Sequence, residues 1–240
     1  MMEARHISRR FGSVEALLDV SLQVGDGEIV ALLGANGAGK STMFDILATL
    51  DPGYEGTASI AGFNVRTHPA EVRERIGYVP GRISLYEDLS VAENLEFFAQ
   101  AYGCDPQRIT ELSPRLWASL APLADRRVRT LSGGMKQKLA FCCAVIHSPR
   151  ALLLDEPTVG IDPAARRDLW EAVAGLAHKG VPVLISTHYL DEAEAADRVL
   201  FLHRGRLLAD TQPAELLRQT GRASLEEALS ILMESQPDRL

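Results

Sequence analysis

The chain has 240 residues, 46% hydrophobic and 24% charged, with a formal net charge of −7. That is an ordinary globular composition, enough for one large core or a core with an inserted subdomain. The acidic balance argues against nucleic acid as the main partner, which would call for clustered Lys and Arg. No apolar run reaches the roughly 18 residues of a membrane-spanning helix. Met1-Met2-Glu3-Ala4-Arg5 lacks the apolar centre of a secretory signal. Cys104, Cys142 and Cys143 form neither a disulfide framework nor a metal spacing, and the adjacent pair reads as buried core thiols. The expected compartment is reducing and cytoplasmic.

In chain order, the first 28 residues read as short strands with glycine turns. Together with Thr57–Val65 they predict an antiparallel side sheet. Ile29–Leu33 is a continuous apolar run ending in glycine, the pattern of a strand buried on both faces. A helical pattern over Lys40–Leu50 follows. Ser90-Val91-Ala92-Glu93 is a capping box, and Val91, Leu95, Phe98 and Tyr102 recur behind it at helical spacing. Asp105-Pro106 and Ser113-Pro114 each place a cap before a first-turn proline and predict two more helices. The stretch from Gly81 to His147 is therefore expected to be mostly helical. Ala151–Leu154 and Val181–Ile185 are further apolar runs, separated by a helical pattern over Ala164–His178. The alternation predicts an α/β core into which a helical subdomain is inserted.

Gly34-Ala35-Asn36-Gly37-Ala38-Gly39-Lys40-Ser41, followed by Thr42, fits the phosphate-loop pattern G-x-x-x-x-G-K-[ST] between a predicted strand and a predicted helix. Its glycines let backbone N–H groups converge on an anion, and the helix start adds its positive dipole end. Lys40 would reach the β- and γ-phosphates, and Ser41 would ligate Mg²⁺. The apolar run ending in Asp155-Glu156 supplies a second half-site. Asp155 is placed to hold Mg²⁺ through its waters, and Glu156 to polarise an attacking water. Ser132-Gly133-Gly134 opens another helix, whose apolar face reads as Met135, Leu139, Cys142 or Cys143, and Ile146. Ser132 can cap it, and the glycines expose N–H groups.

Leu131-Ser132-Gly133-Gly134-Met135-Lys136-Gln137, upstream of Asp155 and downstream of the phosphate loop, resembles the signature sequence of the ABC ATPase family. The resemblance runs the length of the chain. It implies a P-loop NTPase (RecA-like) parallel-sheet core with an N-terminal antiparallel β subdomain over residues 1–80 and 148–212. The inserted helical subdomain would span 81–147 and a C-terminal helical tail 213–240. It implies ATP and Mg²⁺ as ligands and ATP hydrolysis as the activity. Phe11 matches the aromatic that stacks on adenine, the alternative being a core aromatic of the side sheet. Gly160-Ile161-Asp162 resembles the loop that contacts an opposite subunit. Thr187-His188-Tyr189 resembles the switch histidine that senses the γ-phosphate, which makes Lys40, Glu156 and His188 the implied catalytic residues. The implied partners are a second, head-to-tail copy or homologue and a separate membrane permease. The chain would then lie on the inner face of the membrane.

One position departs from the family pattern. Where the family carries a glutamine that ligates Mg²⁺, this chain has Gly81 followed by Arg82. Three outcomes are open: water fills the place, hydrolysis is slow and permease-dependent, or the chain is a nucleotide-gated regulatory subunit. Leu85–Val91 with Glu93-Asn94-Leu95, Thr187–Glu194 and Ser224–Ala228 resemble exporter-type members, with an importer subunit as the alternative. A non-transport ABC ATPase would usually carry two nucleotide domains or a coiled-coil insert. A GTPase would carry Asn-Lys-x-Asp, which this chain lacks. Arg126-Arg127-Val128-Arg129 reads as a solvated loop.

Overall fold

A computed structural model describes residues 1–82 and 84–234; the last part of the expected C-terminal tail, 235–240, lies outside them. The strands are β1 (Met2–Phe11), β2 (Val14–Val24), β3 (Ile29–Leu33), β4 (Glu55–Ile60) and β5 (Phe63–Asn64). They continue with β6 (Ile76–Val79), β7 (Ala151–Asp155), β8 (Val183–Thr187), β9 (Arg198–His203) and β10 (Arg206–Thr211). The helices are α1 (Lys40–Leu47), α2 (Pro69–Arg73), α3 (Val91–Ala101), α4 (Ile109–Leu112) and α5 (Pro114–Leu120). They end with α6 (Gly133–Val145), α7 (Pro163–Ala177), α8 (Leu190–Glu194), α9 (Pro213–Thr220) and α10 (Leu225–Glu234).

Two sheets form. The larger has the order β10-β9-β3-β8-β7-β6, parallel except for the edge pair β9–β10. Strands β3, β7 and β8 are buried at every residue, as sheets covered on both faces require. Successive side chains alternate between two cores. Ala31, Leu33, Leu152, Leu154 and Ile185 pack on the side of α3, α6 and α7. Val30, Leu32, Leu153 and Leu184 pack on the side of α1 and the smaller sheet. That sheet, β2-β1-β4-β5, is antiparallel throughout. Its strands are longer than expected, because register shifts in β1 break the alternation that sequence reading relies on.

Several expectations shift by a few residues for identifiable reasons. The run at Val181-Pro182 becomes a strand only from Val183: Val181 N–H closes back on Leu176 O, and Pro182 has no N–H to give a ladder. The strand instead runs on through buried Ser186 and Thr187. Helix α1 stops at Leu47, ahead of Thr49 at φ 65°. The Ser90–Glu93 capping box forms in both directions. Asp105 caps a 3₁₀ turn at Pro106–Arg108 by accepting from Gln107 N–H. Ser113 does not cap α5; its hydroxyl is buried without a hydrogen-bond partner, and Pro114 alone starts the helix. Met135 is exposed and does not belong to the apolar face of α6, where Phe141 joins Leu139, Cys142 and Cys143. Burial pushes the Cys142 thiol up to about 12, so it stays protonated as a core group.

Candidate nucleotide site

Parallel strands deliver their C-terminal ends to one edge, where open α/β sheets place their ligands. Register aligns those ends: Leu33 pairs with Thr187, Asp155 with Ser186, and Val79 with Leu154. Residues far apart in sequence therefore meet around a cleft of about 570 Å³. Asn36, Gly37, Gly39, Lys40, Ser41 and Thr42 line one side and Asp155 and Glu156 the other, with Gly81 and Arg82 at the end of β6.

The loop between β3 and α1 has its shape because glycine allows it. Gly34 (φ 158°), Gly37 (φ 79°) and Gly39 (φ 110°) lie where side chains are disfavoured. A Cβ at Gly34 would lie 2.4 Å from Leu202 O, and one at Gly39 2.4 Å from Ala16 O. Ala38 is buried behind the loop, and its N–H closes on Ala35 O. Lys40 is only 5% exposed, with Nζ 2.8 Å from Gly34 O, 3.3 Å from Ala35 O and 3.3 Å from Glu156 Oε1. A buried ammonium ringed by carbonyls and a carboxylate, at a helix start, is a phosphate-ready cation.

Glu156 has a left-handed backbone, φ 49°. Such strain persists only where surroundings over-determine it. Here the Glu156 N–H donates to Ser186 Oγ at 2.8 Å, while that hydroxyl donates to Asp155 Oδ1. Ser186 thus fixes the Asp155 carboxylate and the Glu156 backbone. His188 Nδ1 lies 3.9 Å from Glu156 Oε2 at the rim. On the cleft wall, Tyr78 donates to Asp45 at 3.4 Å. Burial raises the Asp45 carboxyl above its usual range, against the lowering by Tyr78, and nearby Asp155 and Asp51 add to the rise. Burial, with the carboxylates of Asp45 and Asp155, holds the Tyr78 phenol well above its usual value.

Phe11 and Ser132–Gly134 lie outside the cleft lining. Phe11 is 48% exposed at the turn into β2, under the Arg9 guanidinium at 4.1 Å, so it is not a core aromatic. Ser132 caps α6, its Oγ accepting from Met135 N–H at 3.3 Å. Gly133 and Gly134 face Gly160, Asp162 and Ala165. Sequence reasoning missed Asp45, Tyr78 and Ser186, and named Arg82 only as the neighbour of Gly81. Of these, Ser186 had a signal, a polar residue at the end of an otherwise apolar run.

Among the described residues no cluster of His, Cys, Asp and Glu forms a dedicated metal cage. The hydroxyl of Ser41 and the carboxylate of Asp155 instead offer the sparse oxygen set that suits Mg²⁺ carried in by phosphates. The residues present therefore fit a magnesium–nucleotide triphosphate.

The family model described as ABC transporter matches residues 17–159. The probable multidrug ABC transporter ATP-binding protein YbhF of Escherichia coli K12 is 37% identical over 222 residues, covering 92% of this chain. This chain spans 38% of that relative's length. A solved ATP-binding subunit of an ABC transporter superposes with TM-score 0.89 at 34% identity, covering 97% of this chain and 99% of that one. The dimeric structure of MJ0796, described as a bacterial ABC transporter cassette, gives TM-score 0.80 at 25% identity, covering 88% and 98%.

Proposed function

The chain belongs to the ABC transporter family, and on that footing we propose that it binds and hydrolyses ATP to power transport through a separate permease. The observation that carries this is the convergence of buried Lys40, backbone-strained Glu156 and His188 at one sheet edge. The backbone at Gly37 and Gly39–Thr42 and the Lys40 ammonium would hold the phosphates, and Ser41 and Asp155 would hold Mg²⁺. Bound Mg²⁺ would neutralise charge on the β- and γ-phosphate oxygens. Glu156 would polarise the attacking water, and His188, 3.9 Å from its carboxylate, would sense the γ-phosphate. Positioning and charge supply most of the catalysis in this chemistry. Phe11, exposed at the end of β1, offers its ring to the adenine.

Ser132–Gly134 lies outside the lining of its own cleft, with Ser132 and Gly133 exposed and Gly134 buried, so this helix start would serve the nucleotide of a second subunit, head to tail. The MJ0796 cassette, described as dimeric, supports that arrangement. A cavity of about 220 Å³ between sheet and inserted helices, lined by Leu50, Arg73, Leu85, Phe98 and Tyr102, supports a permease seat there. Exposed Tyr86 packs edge-to-face on Phe97 nearby, at 4.6 Å. The multidrug relative and the exporter-like strings favour export. The chain would then lie against the cytoplasmic face of the membrane through that permease. Sedimentation of Glu156→Gln with Mg-ATP tests the composite site. We expect a dimer with ATP and a monomer with ADP; a monomer in both would refute it.

A further inference from the structure

Glu192, on α8, is a carboxylate only 3% exposed, and the reaction outlined above gives it no role. One oxygen accepts from Thr187 Oγ1 at 2.6 Å, and that same Oγ1 accepts from Tyr189 N–H at 3.0 Å. The two residues flanking His188 therefore hang on Glu192. Its other oxygen, Oε1, is buried without a hydrogen-bond partner and faces Arg166 Nε, also unpartnered, at 3.6 Å. That is an ion pair a few tenths of an ångström too long for a hydrogen bond. The Arg166 guanidinium also lies 4.2 Å from the centre of the Tyr189 ring and donates to Asp191 at 3.1 Å. Tyr189 in turn meets the His188 ring at 4.4 Å. Apart from its approach to Glu156, the His188 turn is held by this group of side chains.

Arg166 sits in the first turn of α7, its N–H bonded to Asp162 O at 3.0 Å. That helix start is packed tightly on the start of α6: a Cβ at Gly134 would lie 3.1 Å from Ala165 Cβ and 3.4 Å from Asp162 Oδ2. The beginning of α7 thus touches the Ser132–Gly134 start on one side and the His188 turn on the other. A buried ion pair adds little net stability, because desolvation offsets the attraction.

We propose that Arg166 and Glu192 are positioning residues for His188, coupling the imidazole to the start of α7 and through it to the Ser132–Gly134 helix start. This rests on the hydrolysis reading. When a nucleotide at Ser132–Gly134 shifts the start of α7, closure of the Arg166–Glu192 contact moves the Thr187–Tyr189 turn and with it His188. The γ-phosphate sensor of one site thereby responds to occupancy of the other.

The test uses the full chain with Arg166→Met, Glu192→Gln and the double variant. Two quantities are read: the His188 imidazole NMR signals without nucleotide, and kcat and KM for Mg-ATP. We expect the imidazole signals to move in each single variant. kcat should fall roughly tenfold or more, as for a misplaced reacting group, with KM within about twofold. The double variant should be no slower than the slower single, since the pair acts as a unit. Unmoved imidazole signals, losses that multiply in the double variant, or a KM rise that accounts for the loss would each overturn the proposal. A native chain without turnover would refute the hydrolysis reading instead, and the imidazole signals would still decide the pair. Arg166→Met, at a side chain 23% exposed, carries the test should Glu192→Gln not fold.

Discussion

Gly81→Gln adds a side chain at the position where the family supplies a metal ligand. Gly81 is not in the left-handed region, so the backbone accepts a side chain without strain. Its Cβ would lie 3.3 Å from Asp155 Oδ2 and 3.4 Å from Asp155 O, close enough that Asp155 must give by a few tenths of an ångström. Losing a glycine stabilises the fold by about 0.4–1 kcal/mol through the unfolded chain, which offsets that crowding. The gain would be at Mg²⁺, where an amide oxygen would take the place of a water. A net polar contact is worth about 0.5–1.5 kcal/mol, or about two- to twelvefold in affinity. The assay is initial ATPase rate against free Mg²⁺ at fixed ATP, with melting measured in parallel. We expect half-saturation at about two- to twelvefold lower Mg²⁺ and a melting temperature close to that of the native chain. A normally folded variant with unchanged Mg²⁺ dependence and rate would refute the reasoning, and water would then serve as well as glutamine at this site.

Two further substitutions probe the scaffold. Gly39→Ala forces a side chain into φ 110° with its Cβ 2.4 Å from Ala16 O and 2.9 Å from Leu17 Cδ2; such strain costs about 1–3 kcal/mol. Calorimetry should show a lower melting temperature and ATP affinity reduced about tenfold or more, whereas native affinity would contradict the cradle described for the phosphates. Glu28→Gln tests a brace between β3 and β9. Burial opposes the Glu28 charge, but bonds from Arg198 and from Gly25 N–H outweigh it and hold its carboxyl below the usual 4.5. A depressed folded value means stability fully present above pH 4.5 and lost as pH falls through that lower value. The native chain should therefore melt higher than Glu28→Gln at pH 7, with the gap closing below pH 4.5. A gap independent of pH would contradict this.

The core strands were legible because burial on both faces leaves an unbroken apolar run, as at Ile29–Leu33 and Ala151–Leu154. The candidate residues were legible for a related reason: each run leads into one, Gly34, Asp155 or, past Thr187, His188. The Ser90–Glu93 box is local chemistry and formed as read. Strand β9 carries the same signal, the buried run Val199–Leu202, and went unread, while β10 is half-exposed and gave less to read. Ser113 looked like a cap, yet tertiary packing buried its hydroxyl instead. The left-handed backbone of Glu156 and the contact between Arg166 and Glu192 depend on β7, β8, α7 and α8 being assembled, and no local pattern announces them.

Steady-state Mg-ATP hydrolysis by the purified chain, across protein concentrations and beside Glu156→Gln, tests the central claim most directly. The account predicts turnover that rises faster than protein concentration, because the site needs two subunits. It also predicts its loss in Glu156→Gln with ATP binding intact. Native-like turnover in Glu156→Gln, or a native chain that binds ATP without hydrolysing it at any concentration, would contradict it.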